Sequence, residues 1–153
     1  MKLAIVTMVL LAMALGACDQ KTQKAPLSSV STGQMPARHY DPAVLSLGKQ
    51  VYQQHCSVCH GAQAQGAPDW RKRKPNGKFP PPPLNGSGHA WHHSRAVLRD
   101  VIRNGSQAGQ GDMPAWQGKL TDNEIEAVIS WFQSLWPDQV YAAWYEMQQR
   151  GNQ

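Results

Sequence analysis

Charge is scarce in this chain: only 16% of its 153 residues are Asp, Glu, Lys or Arg. Fifteen basic against ten acidic side chains leave a formal charge of +5, too mild a surplus to demand nucleic acid as a partner. Aromatic residues make up 8%, and they are not interleaved with the basic ones as in a single-strand binder. Cysteine is rarer still, and three residues cannot build a disulfide framework. Runs of alternating β-branched and aromatic residues are missing, so no sheet is expected. No apolar run reaches the length of a membrane span. The run Leu3 to Leu15 has 13 uncharged residues and at helical rise covers about 20 Å, against a hydrocarbon core of about 30 Å. What is plentiful is glycine and proline, 13 and 11 residues, which implies long irregular connections between few helices. The length suits one modest domain with appendages.

Behind Met1-Lys2, the Leu3–Leu15 run has the length and flanks of a signal-peptide core. It ends in Leu15-Gly16-Ala17-Cys18, which resembles the lipobox of bacterial lipoproteins. That resemblance implies a signal peptide over residues 1–17 and an acylated Cys18 at the new N-terminus. Several acyl chains together anchor a protein that a single chain would hold only marginally. A plain signal peptide with a nearby Cys is the alternative. Asp19 resembles the inner-membrane retention signal of some Gram-negative lipoproteins, implying a domain held at the periplasmic face of the inner membrane. From Asp19 to Tyr40 the chain is polar and has no apolar period, so residues 18–40 are expected to form the acylated Cys and a flexible tether.

The domain itself is expected over 41–153. Asp41-Pro42 reads as an N-cap followed by proline at the first helical position. Val44, Leu47, Gly48, Val51, Tyr52 and His55 then mark one helical face. Residues 61–92 have no sustained period and hold most of the prolines, so they form a long loop that needs a reason to stay ordered. Ser94 opens a helix through Val97, Leu98, Val101 and Ile102, closed by Asn104-Gly105. Residues 105–118 are rich in turn formers. Thr121 to Glu124 is a capping box, and Ile125, Val128, Ile129, Phe132, Leu135 and Trp136 follow at helical spacing until Pro137. Asp138 is expected to cap a last helix, in which Val140, Ala143, Trp144 and Met147 share a face.

Cys56-Ser57-Val58-Cys59-His60 is the pattern of c-type haem attachment. Two thiols three residues apart in a helical turn lie on one face and can add to two porphyrin vinyl groups, while the following His is placed to ligate the iron. A thiol oxidoreductase is the first rival, but it needs a βαβ context that this chain does not offer. The second is a zinc site completed by His89, His92 or His93, whose spacing fits no finger pattern.

From about Asp41 to Trp136 the chain resembles the class I cytochromes c. Gly48, Tyr52 and Cys56 are spaced like that family's N-terminal helix, with Val128, Trp131 and Phe132 where it places their partners on the last helix. Pro82-Pro83-Leu84-Asn85-Gly86 looks like the family's Pro-x-Leu segment. The resemblance implies that the Pro82 carbonyl accepts a hydrogen bond from the His60 ring, and that Tyr52, Leu84 and Trp116 pack at the haem. It also implies an all-α fold, three core helices plus a C-terminal helix around one covalently bound haem c, with long loops.

The sixth iron ligand is then sought among Met35, Met113 and Met147. Met113, in Gly111-Asp112-Met113-Pro114, matches the family's distal Met-Pro loop, where proline holds the ligand extended. The cluster His89, His92, His93 offers bis-histidine ligation instead, or simply a polar loop packed on Trp91. The run Arg71-Lys72-Arg73-Lys74, with Lys78 behind it, is either a solvated loop or a docking patch for an acidic redox partner or anionic headgroups. The expected function is a tethered periplasmic carrier of single electrons between redox proteins, not itself an enzyme. The alternative is an electron-entry subunit of a larger oxidoreductase or terminal oxidase complex. That alternative is motivated by the last helix, whose Trp144 and Met147 either bind a partner or cover the domain's own core.

Overall fold

A computed structural model describes residues 37–151, and all structural statements below concern these residues. The Cys18 lipidation site, the signal peptide and most of the expected tether lie outside them. The elements are helical: α1 (Pro42–Val51), a π-helical turn (Tyr52–Cys56), α2 (Ser57–His60), a 3-10 turn (Ala90–His92), α3 (Arg95–Asn104), α4 (Asp122–Ser134) and α5 (Asp138–Gly151). Among the described residues there is no strand, only an isolated bridge between Gln117 and Leu120. The βαβ context of a thiol oxidoreductase is therefore missing.

Helices α1, α3 and α4 start where side-chain chemistry satisfies their free N–H groups. The Asp41 carboxylate accepts from Ala43 N at 2.8 Å, with Pro42 in the first turn. The Ser94 hydroxyl accepts from Val97 N, and Thr121 and Glu124 exchange both bonds of a capping box. Gly105, at φ +77°, ends α3 in a conformation that only glycine adopts freely.

The packing of α1 on α4 organises the core. Gly48 faces Ala127 so closely that the two backbones touch, and Val51 and Tyr52 pack with Ile125, Val128, Ile129 and Phe132. Each such side chain taken from water contributes about 1.5–3 kcal/mol. α3 is tied across α4 by a polar network. Arg95 reaches the Glu126 carboxylate at 2.6 Å, the Gln133 amide oxygen at 2.8 Å and the Ser130 hydroxyl at 2.8 Å, while Arg99 meets the second Glu126 oxygen at 2.5 Å.

Three details depart from expectation. The first helix runs on through the π turn, in which Ser57 N–H donates to Tyr52 O, so one extra residue enters before the Cys-x-x-Cys-His segment and turns it by about 100°. Asp138 is the first residue of α5 and not a cap ahead of it. The packed unit also reaches back before 41. Arg38 donates to the Trp136 carbonyl at 2.7 Å and to Asp138 Oδ1 at 2.8 Å, and stacks over the Tyr141 ring.

α5 covers the domain's own core. Trp144 is buried, meets Trp136 edge to face and donates from Nε1 to the His93 carbonyl at 3.0 Å. Met147 and Val140 pack against the same core. Trp144 is thereby removed from the surfaces available to a partner.

Candidate functional site

The π turn delivers Cys56 half-buried against the apolar core, whereas Cys59, one helical turn on, is exposed. Burial pushes the Cys56 thiol up to about 11, and the neighbouring Cys59 thiol adds to the shift. His60 closes α2 with only 8% of its surface exposed. Its Nδ1 lies 2.8 Å from the Pro82 carbonyl, which can only accept, so Nδ1 carries the proton. Burial lowers the imidazole below its ordinary value, with the Pro82 bond opposing. The neutral ring therefore keeps its lone pair on Nε2, the form a metal requires.

The long loop holds that carbonyl in place by main-chain bonds. Ala64 accepts from both Leu84 N and Asn85 N, Ala67 N donates to Pro81 O, and Gly66 N donates to His60 O. Gly66, at φ +65°, sits against the Pro82–Pro83 peptide, where a side chain has no room. Ala64 is fully buried at φ +57°, a left-handed conformation costing about 1–2 kcal/mol outside glycine. Its two accepted bonds hold it there. Tyr52 is buried in the core, packs on Trp131 with ring centroids 4.3 Å apart and planes tilted by 37°, and donates its hydroxyl to Gly61 O at 2.7 Å. The helix is thus fastened to the exit of the Cys-x-x-Cys-His turn.

Met113 lies on the loop after α3, between two bonds to Ser106: Met113 N donates to Ser106 Oγ and Ser106 N donates to Met113 O. Trp116 closes the loop, its N–H on the carbonyls of Ile102 and Arg103 and its ring 5.1 Å from His55. Leu84, Met113, Trp116 and Cys56 all pack against the core that contains Tyr52. These four predicted residues share that core with Tyr52, His60 is tied to Pro82, and Cys59 is exposed.

The histidine cluster is occupied with other rings. His89 stacks on Trp70 at 5.2 Å and meets His93 edge-on at 5.3 Å, and His92 lies on Trp91 at 3.7 Å. Among the described residues no group of three or more His, Cys, Asp and Glu side chains is placed to hold a metal ion, so the zinc alternative has no site. The basic run is occupied as well. Lys72 pairs with Asp69, Arg71 stacks on Trp70, and Arg73 stacks on Phe79. Lys74 and Lys78 both bind Asp112, and their hydrogen bonds bring its carboxyl down to about 2. Sequence reading missed Asp112 and Ser106, the neighbours that brace Met113; nothing local marks either as a partner of a distant segment.

Two thiols and a neutral imidazole in one turn, with a thioether and apolar side chains packed on the adjoining core, make a donor set that fits an iron porphyrin. Residues 43–132 match the family described as cytochrome C oxidase, cbb3-type, subunit III. The chain belongs to this family of class I c-type cytochrome domains. It carries one covalently bound haem c, and its helical fold is that of a cytochrome c. It is 32% identical over 98 residues to the cbb3-type cytochrome c oxidase subunit CcoP of Azospirillum brasilense, covering 64% of this chain and 30% of that one. It is also 32% identical over 90 residues to cytochrome c6 of Tetradesmus obliquus, covering 58% of this chain and 88% of the relative. With cytochrome c-551 of Bacillus subtilis it shares 28% over 123 residues, 80% and 82% of the two chains. The match thus spans under a third of the CcoP subunit and most of the two small cytochromes. No solved structure matches.

Proposed function

We propose that this cytochrome is a single-haem electron carrier, tethered by an acylated Cys18 to the periplasmic face of the inner membrane, that passes electrons one at a time between redox proteins. Cys56 and Cys59 would hold the haem through thioether bonds, and His60 Nε2 and Met113 Sδ would ligate its iron. Bound there, haem supplies a one-electron Fe(III)/Fe(II) couple. The observation that carries the reading is the 2.8 Å contact of His60 Nδ1 with Pro82 O, which fixes ring tautomer and orientation before any ligand is considered. Pro82 makes the imidazole a stronger donor, while Tyr52, Leu84 and Trp116 exclude water. With His60 and Met113 both holding the iron, no place would be left for substrate, and little rearrangement would accompany a change of oxidation state.

The reduced holoprotein is expected to show a low-spin c-type spectrum, and the ferric form a thioether-to-iron charge-transfer band that Met113→Ala abolishes. Survival of that band in the variant overturns the ligand assignment.

The family match favours a second reading, in which the domain is the electron-entry subunit of a terminal oxidase complex. Native mass analysis of detergent-extracted protein separates the two. A co-purifying catalytic subunit supports the second reading, and a free monomer supports the carrier.

A further inference from the structure

Met113 sits in a loop held by scattered turn and side-chain bonds and not by a regular element. Residues 107–110 and 114–115 are exposed, and between Gly105 and Gln117 there is no regular element. Loops of this kind open locally at far less cost than the whole domain unfolds. The segment that meets this loop comes from the basic run. Lys74 Nζ lies 2.6 Å from Asp112 Oδ2, and Lys78 Nζ lies 2.6 Å from Asp112 Oδ1, so each carboxylate oxygen has its own ammonium. Beside them Phe79 N donates to Gln110 O at 2.9 Å, and Arg73 Nη1 reaches Gly109 O at 3.2 Å while its guanidinium stacks on the Phe79 ring.

We propose that Asp112, gripped by Lys74 and Lys78, is a positioning residue that holds the Met113 loop closed over the haem iron. The inference rests on Met113 being the axial ligand and assigns the basic run a function within the domain. The carboxylate is one peptide bond from the ligand, so its fixation limits how far the thioether can withdraw. Exposed ion pairs add little to global stability. Local opening is a smaller equilibrium, and removal of the clasp is expected to raise the open population roughly three- to tenfold.

The test uses ferric full-length holoprotein and imidazole, which binds only when Met113 leaves the iron. Asp112→Asn is expected to raise the imidazole association rate roughly fivefold, with the thioether-to-iron band still present. The pair Lys74→Met with Lys78→Met should raise it as much, and adding Asp112→Asn to that pair should change it no further, because all three groups form one interaction. Salt supplies a readout that a merely structural role does not move. Going from about 0.01 M to 1 M, which shortens screening from about 30 Å to 3 Å, should speed imidazole binding to the wild type and leave Asp112→Asn unaffected. Amide exchange at Gln110 and Phe79 should accelerate in the same variants. An unchanged imidazole rate in Asp112→Asn, or equal salt dependence in both proteins, overturns the clasp. If Met113→Ala keeps the thioether band, the ligand reading itself fails and the clasp with it; if the band is lost there but Asp112→Asn behaves as wild type, only the clasp fails.

Discussion

A methyl group on Gly48 would stand 2.1 Å from the carbonyl oxygen of Ala127 and 2.8 Å from Trp131 Cβ. The crossing of α1 and α4 is therefore a contact of backbones, and it sets where the π turn delivers Cys56 and His60. In an exposed helix Gly→Ala gains about 1 kcal/mol. Here overpacking reverses the sign: Gly48→Ala is expected to destabilise the holoprotein by about 1–3 kcal/mol. A urea titration reads this directly, and a midpoint equal to or above wild type contradicts the crossing.

Much of this architecture is legible in the chain because the signals are local. Asp41-Pro42, Ser94 and the Thr121–Glu124 box satisfy helix ends within three residues, and the structure starts its helices there. The pairing of Lys74 and Lys78 with Asp112 is not legible, since it joins segments 34 to 38 residues apart and a charge run looks the same whether solvated or paired. The π turn is hidden because a one-residue insertion in a helix leaves no mark in so short a pattern. Arg38 is hidden by the polarity of the segment around it. Ala64 at positive φ is invisible because alanine gives no turn signal; its conformation is imposed by the carbonyl bonds that hold Leu84 and Asn85.

Trp144 fixes the role of α5. Its burial against Trp136 means that Trp144→Ala should cost about 3–5 kcal/mol of stability. Trp144→Phe, which keeps most of the packing and loses the bond to the His93 carbonyl, should cost about 1 kcal/mol. Thermal unfolding of the holoproteins checks the order. An unaltered Trp144→Ala midpoint would show that α5 does not belong to the folded unit.

Glu126 makes stability depend on pH. Burial alone would raise its carboxyl, but hydrogen bonds and charge from Arg95 and Arg99 outweigh it and hold the group below its ordinary 4.5. A depressed carboxylate contributes stability that is present above the unfolded value and lost as pH falls through the folded one. Glu126→Gln should therefore lower stability by about 1 kcal/mol at neutral pH. The two proteins should converge in acid, once pH falls through the depressed value of the folded wild type and its carboxyl is also protonated. Parallel curves across the whole range would place the effect in packing and not in the Arg95–Glu126–Arg99 network.

Covalent attachment of one haem through Cys56 and Cys59 is tested most directly by extracting the purified full-length protein with acidified organic solvent. After maturation in a haem-competent host, the colour should stay with the polypeptide, and the double variant Cys56→Ala with Cys59→Ala should be colourless or release its pigment. Wild-type protein that surrenders its colour to the solvent would show that the haem is not covalently bound through these thiols.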